Sequence, residues 1–96
     1  MNNLRWASFR DNYLQDVGKL ANYTNLEELS LERNEINSID SLASLPLLSK
    51  LDASSNRIAE IENGSFKSLM FLSLEKNMIK SLRAFSKMPS LFELCI

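Results

Sequence analysis

The 96-residue chain has no histidine, one cysteine, two glycines and two prolines. Each shortage removes a class of function. Without histidine there is no side chain that ordinarily titrates near neutral pH, no usual base for a serine or cysteine nucleophile, and none of the commonest metal ligand. Two glycines cannot build a phosphate-cradling loop. Cys95 has no second cysteine to pair with and no histidine to activate it. Charge of one sign is lacking too: 11 lysines and arginines face 12 carboxylates, a formal net charge of -1, so bulk electrostatics recruits neither nucleic acid nor an anionic membrane. No apolar run approaches the roughly 20 residues of a membrane span, and Arg5, Arg10 and Asp11 interrupt any leader-peptide core. The expectation is an intracellular protein, in the cytoplasm or else the nucleus or cilium, that is no enzyme and needs no cofactor or metal. The sequons at Asn22 and Asn63 then read as coincidence.

What the chain does have is leucine in a fixed frame. "LRWASFRDNYL" (Leu4 to Leu14), "LEELSLERNEI" (Leu26 to Ile36), "LSKLDASSNRI" (Leu48 to Ile58) and "LMFLSLEKNMI" (Leu69 to Ile79) share one pattern, and "LFELCI" (Leu91 to Ile96) opens a fifth copy. Their asparagines, Asn12, Asn34, Asn56 and Asn77, are 22, 22 and 21 residues apart. The spacing within a copy keeps neither helical nor strand periodicity for its whole length. L-x-x-L-x-L-x-x-N-x-L at a period of roughly 20 to 29 residues is the leucine-rich-repeat signature. It predicts one domain over residues 1–96, an α/β solenoid wound as a short curved right-handed coil, with about five parallel strands on the concave face and short loops or 3-10 segments on the convex face.

Each residue type has a physical role in that frame. Leu29 and Leu31 alternate on a short strand and point inward, where Leu26 and Ile36 meet them from the bends. Asn34 stands where the chain leaves the strand, and its amide offers both a donor and an acceptor to a turning backbone, so the four asparagines predict an internal ladder. Val17 and Leu20, Ile39 and Leu42, Ile61, and Leu82 and Phe85 are expected to line the convex side. Pro46 and Pro89 fall 12 residues after their asparagines, where proline ends the convex segment without loss of a ladder bond. The third unit is one residue shorter; a tight turn at Gly64 and a local irregularity are expected there, with Phe66 filling the space left.

The remaining strand positions form columns on the concave face, one residue per rung. Six residues before each asparagine stand Trp6, Glu28, Lys50, Phe71 and Glu93; four before stand Ser8, Ser30, Asp52, Ser73 and Cys95; two before stand Arg10, Glu32, Ser54 and Glu75. Exposed aromatics are enriched where interfaces have their energetic anchors. Trp6, Arg10, Glu28, Glu32, Lys50, Asp52, Phe71 and Glu75 are therefore the candidate partner-binding residues, with Glu28 and Lys50, and Arg10 and Glu32, able to pair across rungs. Trp6 has two readings, a contact or a lid over the open end of the core.

By these motifs the chain resembles the intracellular 22-residue class of leucine-rich repeats typified by the nuclear regulatory subunit of protein phosphatase one, with Ile36, Ile39 and Leu42 matching its I-x-x-I-x-x-L continuation. The resemblance implies scaffolding or regulation by binding another protein through the concave face, and alternatively a role as targeting subunit of an enzyme such as a phosphatase. Leu91, Leu94 and Ile96 would leave an apolar edge, so a fragment of a longer array and self-association through that end are also expected.

Overall fold

The computed structural model describes residues 3–62 and 66–96. The expected turn at Gly64 and the sequon at Asn63 lie outside the described residues. Five three-residue strands, β1 (Trp6–Ser8), β2 (Glu28–Ser30), β3 (Lys50–Asp52), β4 (Phe71–Ser73) and β5 (Glu93–Cys95), form one parallel sheet in chain order. The register is the one the asparagine spacing dictates. Trp6 pairs with Glu28, Glu28 with Lys50, Lys50 with Phe71, and Phe71 with Glu93, so the columns read from sequence are real neighbours.

Between strands the chain descends through 3-10 segments at Gly18–Asn22, Asp40–Ser44 and Arg83–Lys87. Apolar residues three apart suit a helix whose side chains eclipse at i and i+3. The hydrogen bonds follow the same step: Leu20 donates to Val17 and Tyr23 to Leu20, as Leu42 does to Ile39 and Leu45 to Leu42, at 3.0 to 3.1 Å. Pro46 and Pro89 sit in the turn that follows, exposed. Between β3 and β4 the described residues contain no such segment, in keeping with the expected irregularity.

Phe66 and Leu82 show how the frame sets burial. Phe66 is buried, and so are Leu45 and Met88, which stand 11 residues after their asparagines as Phe66 stands 10 after its own. Phe66 thus holds the core position of Leu45 and Met88 with a larger side chain, and the missing residue lies between Asn56 and Phe66. One expectation is corrected: Leu82, expected to line the convex side of the core, is 60% exposed. Its counterparts Val17, Ile39 and Ile61 are all buried, at 2%, 0% and 8%, so the loss of cover is particular to the last convex segment. The core is continuous from Ala7 to Met88 through Leu26, Leu29, Leu51 and Leu72, and its members are packed by neighbouring turns rather than within their own.

Candidate protein-binding face

The turn that follows each strand positions the concave face. Asp11, Arg33, Ser55 and Lys76, each directly before an asparagine, have φ of 61°, 58°, 57° and 57°. This left-handed conformation normally favours glycine and costs a residue with a side chain about 1 to 2 kcal/mol. Here it reverses the chain so that the next asparagine side chain points inward. Asn56 then donates to the carbonyls of Leu31 (2.9 Å), Ala53 (3.0 Å) and Ser54 (3.1 Å), and its Oδ1 accepts from the Ile36 N–H at 3.0 Å. Asn34 and Asn77 repeat this, reaching back to Phe9 and Leu14, and to Ala53 and Ile58. The ladder therefore runs from amide to the backbone of the preceding turn. Asn12 is exposed and, among the described residues, bonds only the carbonyls of Phe9 and Arg10 within its own turn.

Ion pairs add to this between turns. Arg5 meets Glu27 at 2.9 Å, Arg57 approaches Glu35 at 3.8 Å, and the Arg33 guanidinium donates to both carboxylate oxygens of Asp11. The hydrogen bond from Arg33, opposed by some desolvation and helped by the charges of Arg33 and Arg10, holds the Asp11 carboxyl below its ordinary value. These pairs are largely open to solvent, where water and salt screen them and leave them a minor part of the stability.

On the concave face, Trp6 stands beside buried Ala7 on the outward side of β1 and is 61% exposed. With Ser8, Arg10, Glu28, Ser30, Lys50 and Asp52 it lines a shallow depression open to solvent. Arg10 lies 3.8 Å from Glu32, as the column spacing allows. The other expected pair is not made: the Lys50 ammonium instead lies over the Phe71 ring, 5.5 Å from its centroid, a cation–π contact with the opposite neighbouring rung. Phe71 is half-buried, and Glu28 has no cation within ion-pair distance among the described residues. Ser30 donates to Glu32, and Ser54 donates to Asp52 through its N–H (3.1 Å) and hydroxyl (2.8 Å). Glu75 is exposed at the C-terminal end of its column.

Reading by columns passed over one further feature. Met70 and Phe92 precede β4 and β5 on adjacent rungs, joined by a Phe92 N–H to Met70 carbonyl bond of 2.7 Å, and they are 52% and 87% exposed. They form a small apolar patch beside the face. The sequence marks them: the position directly after a leading leucine is occupied by Arg5, Glu27, Ser49, Met70 and Phe92, none of them buried, so large apolar residues there meet solvent.

No helix among the described residues is long and apolar enough to cross a membrane. A family model described as leucine rich repeat matches residues 2–58. Nothing among the curated proteins matches. The structure is similar to that of an internalin from Listeria monocytogenes, with a TM-score of 0.71 and 25% identity over 100% of this chain and 35% of that one. It is also similar to internalin C2 of the same organism, with a TM-score of 0.68 and 22% identity over 97% of this chain and 51% of that one, a likeness of fold alone. The chain spans about a third and about half of the length of these two solved structures. With the family pattern matched over more than half its length and the frame's leucines and asparagines placed as that pattern requires, the chain belongs to the leucine-rich-repeat family, whose members generally serve as protein–protein interaction modules.

Proposed function

We propose that the concave sheet face binds another protein and that the repeats themselves do no chemistry. The observation that carries this reading is Trp6. A tryptophan 61% exposed on the solvent side of a strand contributes little to the core, and large aromatics so placed are what interfaces use as anchors. Its exposure supports the contact reading over the lid. Around it, Arg10, Glu28, Glu32, Lys50, Asp52, Phe71 and Glu75 form the binding surface, while Asn12, Asn34, Asn56 and Asn77 serve the scaffold. Affinity capture from cell extract tests this, with the wild-type chain beside a Trp6→Ala/Phe71→Ala variant shown by circular dichroism to be folded. Proteins lost only from the variant place binding on this face; identical recoveries would remove both aromatics from it.

The second reading, a regulatory or targeting subunit of an enzyme such as a protein phosphatase, draws support from the I-x-x-I-x-x-L continuation at Ile36, Ile39 and Leu42. Phosphatase activity copurifying with the chain is its test. The intracellular setting rests on the single cysteine and the class resemblance, within which "NLEELSLERNEI" and "FLSLEKNMIKSL" resemble part of leucine-rich repeat-containing protein nine, a large multi-repeat protein. The reading as a fragment of a longer array, and self-association through Leu91, Leu94 and Ile96, belong to the same proposal; gel filtration as a monomer at high concentration would count against the latter.

A further inference from the structure

A net charge of -1 conceals a sorting of charge by surface. The three concave columns hold five carboxylates, Glu28, Glu32, Asp52, Glu75 and Glu93, against two cations, Arg10 and Lys50, which leaves nine cations and seven carboxylates for the rest of the chain. Both concave cations are already engaged, Arg10 by Glu32 at 3.8 Å and Lys50 by the Phe71 ring. Glu28, Asp52, Glu75 and Glu93 thus have no cation within 4.0 Å among the described residues. Their field reaches across rungs: the Cys95 thiol, on β5, is pushed up by partial burial and then by Glu93, Glu75 and Asp52. At the other end of the face, Trp6 stands in the rung beside Glu28 with its ring open to solvent. That is the aromatic-and-cation arrangement Lys50 and Phe71 already satisfy within the chain, here with the cation still to come.

We infer that the concave face takes a cationic, extended segment of another protein, its lysine or arginine side chains meeting Glu28, Asp52, Glu75 and Glu93 and one of them lying on Trp6. The inference rests on the concave-face reading proposed above and adds the chemistry of the partner. Five rungs about 4.8 Å apart span about 19 Å, which an extended chain crosses in about six residues at about 3.3 Å each. A short segment therefore reaches both ends of the face.

The test uses a fluorescein-labelled nine-residue peptide of alternating arginine and serine, beside the same peptide with citrulline in place of arginine, followed by fluorescence anisotropy. The arginine peptide is expected to bind about tenfold more tightly at low salt, and to lose that advantage as ionic strength rises past ~0.15 M. Glu75→Lys/Glu93→Lys should abolish the difference, while Glu60→Lys/Glu62→Lys, an equal change of charge at exposed positions outside the concave columns, should retain most of it. Trp6→Ala should weaken the arginine peptide about threefold. Equal binding of the two peptides, or equal loss from the two charge reversals, would overturn the inference. A dimer of the free protein that disappears with Glu28→Lys, four rungs from Leu91, Leu94 and Ile96 counting both ends, would give the face to a second copy and overturn it likewise. Should the peptides not bind while Trp6→Ala/Phe71→Ala still loses proteins from extract, the cationic partner falls and the concave reading stands; identical extract recoveries would remove both.

Discussion

Ile39 and Leu82 hold the same position in the second and fourth turns, yet Ile39 is completely buried and Leu82 is 60% exposed. Asn56 and Asn12 differ in the same way: Asn56 makes three donor contacts and accepts one, two of the four with the preceding turn, whereas Asn12 makes two, both within its own turn. Equivalent positions in one frame are thus unequal, because in a stacked coil part of a side chain's cover is supplied by the turns beside it. The middle of the molecule is an interior; in the last turn the same frame becomes surface at Leu82, while Val17 in the first turn keeps its cover.

That contrast can be broken most sharply in the core. Ile39→Ala should destabilise the chain by about 3 kcal/mol, in the range for an aliphatic residue truncated in a well-packed site, and Leu82→Ala by less than about 1 kcal/mol because it opens no cavity. Urea unfolding of the two variants measures both, and equal costs would mean that the ends are packed like the middle. Asn56→Ala should cost about 2 to 3 kcal/mol, since it strands the Ile36 N–H and several carbonyls in a buried setting, with Asn12→Ala within about 1 kcal/mol of wild type.

The left-handed turns give a smaller effect. Ser55→Val should cost about 1 to 2 kcal/mol, because a β-branched residue is the worst fit to φ of 57°. Ser55→Gly should stay near wild type, relief of strain offsetting the greater freedom of the unfolded chain. The smallest effect belongs to Asp11. Its carboxyl is held below the ordinary value of 3.8, so the Asp11–Arg33 pair stabilises the fold fully above that value and is lost as pH falls through the lowered one. Asp11→Asn should therefore flatten the acid limb of a stability–pH curve slightly and leave the strongly acid region unchanged; an unaltered limb would show the pair to be energetically silent.

Much of this fold was legible because the repeat writes each constraint several times. Leucine spacing gave strand register, asparagine spacing gave the turn, and steps of three in Val17 and Leu20 or Ile39 and Leu42 gave the 3-10 descent. The left-handed residue before each asparagine left no such trace. Asp11, Arg33, Ser55 and Lys76 share no chemistry, and the conformation is imposed by the inward asparagine rather than by the residue that adopts it. Nor could one sequence show that Lys50 would choose Phe71 over Glu28: both are adjacent rungs, and the choice turns on side-chain reach and hydration. The concave columns themselves were readable; which of their members still lack a partner was not.

The periodic register also has a consequence for how the chain finds its structure. Every strand pairs with one 21 or 22 residues along, and the asparagine bonds to the preceding turn span 19 to 25 residues. The entropy of closing each loop is therefore set by one repeat length and does not grow with the number of turns. Assembly can begin on any adjacent pair, most readily in the well-buried second and third turns, and spread outward one closure at a time. A coil built this way can be lengthened by whole turns without slowing its search, as folds that must join distant strands before any contact is rewarded cannot.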